Sequence, residues 1–428
     1  MSIRGRLLAG LVGAALVAVG VPGSASAAPA RVSVGYFMSS DMYDGYYPKD
    51  IPTADYTHIN YAFAKPTSSG KCALWDPNAD YLAAVSGANS VTGIGDTNGQ
   101  KLRGNLNQLR ELKAAHPGLK VSITIGGWTL SRFFSDIAST AAKRTAFVSS
   151  CVSMFIKGNL PIAGSQGGAG AAKGIFDGID IDWEFPVGGG LDSNHHRAAD
   201  RVNATALFKE FRKQLAAYGK TTGKHYLLTA AMPAGNVGDT HYELAKVGAT
   251  LDWLNVMLYD IHGPWDATTD FDSPFKFDSA DPAGSSAYTV QGTVAYMLSK
   301  GVPASKIVLG VPYYGYQYTS VQESGSGNGQ LGLYRPFDAH NVTNPSYRRI
   351  LSGTQTGYST NWSNAAEEPW LWSATDHGGT FITYEDAASI GERVSYVKSN
   401  GLRGLMVWEI SQDDVGHTLG DALGQVAP

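Results

Sequence analysis

Charge is scarce in this 428-residue chain. Asp, Glu, Lys and Arg together make up 16% of it, and the formal net charge is −4. No run of Lys or Arg stands out, so neither nucleic acid nor an anionic membrane surface is expected as the main partner. Cysteine is nearly absent, with only Cys72 and Cys151. A catalytic thiol would need a matching His and an activating environment, which nothing in the sequence suggests. The two cysteines read as a structural bridge, with a pair of buried free thiols as the alternative. Beyond the N-terminus no apolar run is long enough to span a bilayer. No cofactor signature is found. His195 and His196 are adjacent in a polar loop rather than four apart on a helix, so no metal site is expected.

The one long apolar run, Leu7 to Val21, follows Arg4 and Arg6 and precedes the small-x-small sequence Ala25-Ser26-Ala27. Residues 1–27 therefore read as a signal peptide, which predicts a secreted, extracellular protein. A soluble monomer is expected. What the chain does have is aromatic residues (11%) and 51 glycines. Many aromatics with few charges suit stacking on sugar rings, although a core alone can absorb most of them.

Short β-rich runs alternate with helical patterns. The strand candidates are 32–37, 57–63, 120–125, 175–183, 226–231, 253–259, 307–312 and 405–408. Helical periodicity falls at 106–115, 141–156, 204–217, 290–300 and 387–399. Strands alternating with helices predict βα units and a parallel sheet. Eight of them favour an α/β fold of the closed (β/α)₈ TIM-barrel kind over an open sheet. Two stretches break the rhythm. The Gly/Ala-rich segment 164–174 precedes a strand, whereas a phosphate loop follows one, so it reads as a flexible connection. Residues 315–381 are too long for a connection between the seventh and eighth strands. They hold Tyr316, Tyr318, Tyr334, Tyr347, Trp362, Trp370 and Trp372, and read as an inserted small α+β domain. The barrel then comprises 28–314 and 382–428.

The chemistry concentrates in Asp177-Gly178-Ile179-Asp180-Ile181-Asp182-Trp183-Glu184. Side chains alternate along a strand, so Asp180, Asp182 and Glu184 share one face, and Ile179, Ile181 and Trp183 share the other. In a barrel the apolar set faces the helices and the acidic set the interior. Three carboxyls in a row inside a barrel are destabilising as a structural device, because like charges repel and desolvation is costly. Asp182 and Glu184 have α-carbons roughly 6–7 Å apart by strand rise, and a shared proton is expected. Glu184 comes last, at the C-terminal mouth where barrel active sites lie. Burial and neighbouring charge should keep it protonated, as a general acid requires. Asp180 and Asp182 can pass a proton between them. Asp177 has the opposite parity and reads as a structural hydrogen-bonding residue.

This segment resembles the D-G-x-D-x-D-W-E signature of glycoside hydrolase family 18, the chitinases, at every fixed position. Further along, Gly126-Gly127-Trp128, Met257-Leu258-Tyr259-Asp260, Gly263-Pro264-Trp265, Thr383-Tyr384-Glu385-Asp386 and the stretch from Gly404 to Glu409 are similar to elements of that family in the same order. The resemblance implies a retaining hydrolysis of β-1,4-linked N-acetylglucosamine polymers, with chitin and chito-oligosaccharides as partners and no cofactor. The acetamido oxygen of the sugar would attack its own anomeric carbon to give an oxazolinium ion. It further implies that Glu184 protonates the leaving oxygen and then activates water. Asp182 would orient the acetamido N–H, Asp180 would share the proton of Asp182, and Tyr259 would hold the acetamido carbonyl. Trp408 would floor the subsite of the distorted sugar, with Tyr36, Phe63, Met257 and Asp260 around it. Trp128 and Trp265 would stack sugars on the leaving-group side.

The chain departs from the family pattern at Thr124, where Ser is usual, and at Phe185, where Tyr is usual. Thr124 keeps a hydroxyl for the inner aspartate. The insertion resembles one found in a subgroup of these enzymes, where it deepens the cleft, and this points to exo or processive action. Two other readings share the signature or the barrel: an endo-β-N-acetylglucosaminidase on glycoproteins, and a non-catalytic chitin lectin. The acid is intact, which disfavours the lectin.

Overall fold

The computed structural model describes residues 30–282, 284–322 and 330–427. The segment read as a signal peptide lies outside the described residues. Eight strands close a parallel barrel: β1 (Val32–Met38), β2 (His58–Pro66), β3 (Lys120–Gly126), β4 (Gly178–Asp182), β5 (Leu227–Pro233), β6 (Trp253–Met257), β7 (Ile307–Pro312) and β8 (Gly404–Trp408). Each pairs with the next, and β1 pairs with both β2 and β8, which closes the ring. Helices cover the outside, among them Gly104–Ala115, Ala141–Cys151, Asp200–Thr222, Val290–Ser299 and Ala387–Ser399. The last has a reciprocal N-cap: the Asp386 carboxylate accepts from the Ala388 and Ser389 amides, and the Ser389 hydroxyl accepts from the Asp386 amide.

Alternation along the strands builds two apolar layers separated by the sheet. Ile59, Ile123, Ile125, Ile179, Ile181, Leu254, Leu309 and Leu405 pack outward under the helices. Val34, Tyr36, Ala62, Trp253, Val308 and Met406 fill the barrel interior. No helix among the described residues is long and apolar enough to cross a membrane. The two cysteines are joined as a disulfide between the short strand Cys72–Leu74, which pairs with β2, and the last residue of helix Ala141–Cys151.

Two expectations need correction. The segment read as a flexible connection contributes to a hairpin, Leu160–Ala163 paired with Gln166–Gly168. One of its glycines serves close approach: at Gly167 (φ 81°) a Cβ would sit 1.9 Å from the Pro161 carbonyl oxygen. The fourth strand is also shorter than the expected 175–183. It ends at Asp182, because the next free amide, that of Glu184, bonds to the Ser131 hydroxyl (2.9 Å) rather than to a neighbouring strand.

Between β7 and β8 lies an antiparallel sheet of five strands, in the order Val342–Thr343, Tyr316–Tyr318, Thr380–Thr383, Glu368–Ser373 and Ser359–Ser363. Among the described residues one short α-helix, Tyr347–Gly353, accompanies it. Tyr318, Leu333, Trp370, Trp372 and Phe381 form its apolar core together with Phe271, which comes from the loop after β6.

Candidate active site

The acidic row stands at the carboxyl end of β4, beside the ends of the neighbouring strands. Asp180 is fully buried and held by four donors: Thr229 Oγ1 (2.5 Å), Tyr36 Oη (2.7 Å), Asn255 Nδ2 (3.1 Å) and Thr124 Oγ1 (3.2 Å). Burial pushes its pKa up, and the four donors pull it back. None of these partners is Asp182, so proton passage between the two aspartates, which the sequence suggested, has no direct hydrogen bond here.

Asp182, one position pair further out, is 5% exposed, and its Oδ1 is buried without a hydrogen-bond partner. Burial, then the charge of Glu184, then that of Asp180 push its pKa well up. Glu184 is 9% exposed. Burial and then the charge of Asp260 raise its pKa to about 8, so its carboxyl keeps a proton at neutral pH. Burial first, then Asp182, Asp260 and Glu184, hold the Tyr259 phenol well above its usual range, which leaves it a hydrogen-bond donor.

The backbone around Glu184 is braced from three sides. The Ser131 hydroxyl bridges the Glu184 amide and the Asp182 carbonyl (3.1 Å). Asn194 Nδ2 donates to the Glu184 carbonyl (2.9 Å), and the Tyr242 hydroxyl donates to the Trp183 carbonyl (2.7 Å). The Trp183 ring points outward and stacks on Phe134 at 5.4 Å. Gly126, at the end of β3, has φ 116°, and a Cβ there would meet the Asp182 carbonyl oxygen at 2.0 Å. Only glycine lets β3 come this close to the carboxylate-bearing strand.

These groups open into one cleft made of two adjoining cavities of about 300 and 620 Å³. The inner cavity is lined by Asp182, Glu184, Tyr259, Asp260, Met257, Tyr36, Phe63, Trp128 and Trp408. The outer one shares Glu184, Tyr259 and Trp128 and adds Trp265 and Phe185. Thus every residue named from the sequence as catalytic or substrate-binding borders the cleft except Asp180, which lies beneath it and is supported by Thr124. Asp177 lies apart. Its carboxylate accepts from the Val121 amide (3.0 Å) and pairs with Lys113 (2.6 Å). The Trp408 ring lines the inner cavity, 5.5 Å from Tyr36 and 5.8 Å from Phe63. Trp128 and Trp265 are 48% and 60% exposed, which offers flat apolar faces to a ligand.

Several partners carry no signal in the sequence. Tyr314 and Tyr316 both donate to Asp260 Oδ1 (2.7 and 2.6 Å), and Asp272 accepts the Asp260 amide (2.6 Å). Asp260 itself has φ 54°. Tyr316 belongs to the inserted sheet, so the insertion reaches the cleft wall. Its aromatic content was visible in the sequence, but its aim at Asp260 was not.

The arrangement supplies a protonated carboxyl, a second carboxyl with an unmet acceptor, a phenol donor and an aromatic trough. Comparison with known proteins places the chain in a family. Residues 32–413 match the family model for glycosyl hydrolases family 18. The chain is 36% identical to chitinase A1 of Niallia circulans over an alignment taking in 92% of this chain and 58% of that protein. It is 31% identical to chitinase C of Streptomyces lividans over 90% of this chain and 58% of that protein. This chain therefore spans less than two thirds of the length of these relatives. Among solved structures, the catalytic domain of psychrophilic chitinase B from Arthrobacter TAD20 superposes with a TM-score of 0.82 at 33% identity, covering 93% of this chain and 95% of that one. With a family match across residues 32–413 and these identities, the chain belongs to glycosyl hydrolases family 18.

Proposed function

We propose that the protein is a chitinase that cleaves β-1,4-linked N-acetylglucosamine polymers with retention, using the acetamido group of the substrate as nucleophile. The observation that carries this reading is the buried, unpartnered Oδ1 of Asp182 beside a protonated Glu184. A buried acceptor without a donor is costly, and an acetamido N–H entering the inner cavity would meet that need. Glu184 gives its proton to the glycosidic oxygen as the bond to the leaving sugar breaks. The acetamido oxygen closes on the anomeric carbon, and the positive charge of the resulting oxazolinium ion is balanced by the carboxylate of Asp182. Tyr259 donates to the acetamido oxygen and holds it in line for attack. Glu184, now ionised, takes a proton from the incoming water, which opens the ring on the same face. Asp180, anchored by four donors, fixes the position of Asp182. Trp408 carries the distorted sugar, and Trp128 and Trp265 stack the leaving portion.

The likeness to chitinases over most of the chain supports this substrate class. The intact acid and phenol count against a lectin. Tyr316, joining the inserted sheet to Asp260, supports a cleft deepened on one side, as exo or processive action on a long chain requires. The leader pattern of residues 1–27 supports export. The test compares chitohexaose with its fully deacetylated counterpart by ¹H NMR. Early β-anomeric products from the first and no cleavage of the second are expected. Cleavage of both at similar rates would contradict a substrate-supplied nucleophile.

A further inference from the structure

Tyr316 opens the strand Tyr316–Tyr318 of the inserted sheet, where it pairs with Thr383. It borders neither cavity of the cleft, yet it reaches two residues that do. Its hydroxyl donates to Asp260 Oδ1 (2.6 Å). Its ring lies nearly perpendicular to that of Trp265, with centroids 6.1 Å apart and planes at 83°. Trp265 borders the outer cavity, and Asp260 borders both.

Each contact fixes something that the loop after β6 leaves loose. The Trp265 ring is 60% exposed. It packs over Gly263, where a Cβ would meet its ring carbons at 2.5 Å, and against Tyr316. A perpendicular pair sets the tilt of both rings, because the positive edge of one seeks the negative face of the other. Asp260 is restrained differently. Its backbone has φ 54°, and its amide donates to Asp272 (2.6 Å). Its Oδ1 takes the Tyr314 hydroxyl (2.7 Å) as well as that of Tyr316. Two phenol donors on one oxygen fix the turn of the carboxylate and offset part of its charge. Tyr316 is itself firmly backed. Its ring meets Tyr318 at 6.3 Å, and Tyr318 packs on Phe337 and Phe381 inside the sheet, at 4.7 and 5.8 Å. The charged neighbours of Glu184 are Asp182 on its own strand and Asp260, with the phenols of Tyr242 and Tyr259 beside it. A change in the donors to Asp260 therefore acts on the acid.

We propose that Tyr316 is a positioning residue with two separable roles: its ring sets the face that Trp265 offers to the leaving part of the substrate, and its hydroxyl sets the Asp260 carboxylate beside Glu184. The inserted sheet thereby acts on the grip of the leaving sugars and on the acid through one side chain, and not only as a wall. This inference rests on the reading of the cleft as a site for N-acetylglucosamine polymers and extends it.

The test measures kcat and KM across pH for the full chain and for Tyr316→Phe and Tyr316→Ala. Chitohexaose is compared with an aryl chitobioside, which has no sugar on the leaving-group side. Tyr316→Phe keeps the ring and removes one donor from Asp260. Its KM for chitohexaose is expected to hold, while the alkaline limb of kcat/KM moves to higher pH on both substrates, because the Asp260 charge is less offset and opposes ionisation of Glu184 more strongly. Tyr316→Ala is expected to show the same limb and, in addition, a KM for chitohexaose raised about three- to tenfold, the worth of one aromatic pair, with the KM for the aryl chitobioside unchanged. A limb that stays in place or moves down in Tyr316→Phe would overturn the role of the hydroxyl. A rise in KM that is absent in Tyr316→Ala, or equal on both substrates, would overturn the role of the ring. These outcomes bear on Tyr316 alone, whereas failure of the intact protein to cleave chitohexaose would overturn the reading of the cleft itself.

Discussion

At the scale of single residues, the account turns on the proton held by Glu184. Its raised pKa, about 8, comes from burial and from the charge of Asp260. A general acid works only while protonated, so kcat/KM should fall as pH rises through about 8. Replacing Asp260 by Asn removes a negative charge that opposes ionisation of Glu184. Its pKa then drops, and the alkaline limb of the kcat/KM profile should move to lower pH, by about one unit for a close like-charge pair. A limb that stays in place or moves upward would contradict this electrostatic assignment. The acidic row itself was legible in the sequence, because strand alternation alone puts Asp180, Asp182 and Glu184 on one face. The charge that tunes Glu184 was harder to see. Asp260 lies 76 positions away, and its restraints, Tyr314 and Tyr316, lie more than 50 positions further on. Contacts made across the barrel mouth leave no periodicity behind. Ser131 and Asn194 were invisible for the same reason: each is a lone polar residue in a loop, and its role exists only once β4 ends beside it.

At the scale of elements, one buried network decides how the inserted sheet is joined to the barrel. Arg393, on helix Ala387–Ser399, is fully buried and bonds Glu368 of the sheet (2.6 Å), Glu385 (2.7 Å) and the Ser273 carbonyl (2.6 Å). Arg393→Met would leave two buried carboxylates without their counter-charge. A loss of about 3–5 kcal/mol is expected from chemical denaturation at neutral pH. Both carboxyls already have raised pKa values, Glu385 at about 7, chiefly through burial, and without Arg393 they would rise further. A carboxyl whose folded pKa exceeds its unfolded value loses stability as pH rises toward the folded value. The deficit of the variant should therefore be larger at pH 8 than at pH 5. An equal deficit at both would mean lost packing rather than lost charge. In the sequence, the barrel strands and five helices stood out because each repeats its own period over a full element. The hairpin Leu160–Ala163/Gln166–Gly168 did not, since its strands are short and glycine-rich, and composition there mimics a loop. The strand Cys72–Leu74 is shorter still, and only its pairing to β2 and its disulfide define it.

At the scale of the whole molecule, the barrel gives the acids a dry interior to rise from, and the inserted sheet reaches the cleft through the bond from Tyr316 to Asp260. The (β/α)₈ architecture could be read from eight strand–helix alternations, and the insertion from a stretch too long and too aromatic to be a connection. What could not be read was how the two meet. The loop after β6 donates Phe271 to the core of the sheet and Asp260 to the cleft, so one segment serves both bodies. The central claim is that this assembly hydrolyses chitin with Glu184 as its acid, and one measurement tests it most directly. Time-resolved product analysis on colloidal chitin and chitohexaose should be run with the intact protein beside Glu184→Gln, which keeps the shape but cannot supply the proton. The intact protein is expected to release short oligomers, chitobiose foremost, while the variant still binds chitin and loses at least about 10²–10⁴ in rate, the span for a positioned acid–base group. Undiminished cleavage by the variant, or binding of chitin by the intact protein without any cleavage, would contradict the account.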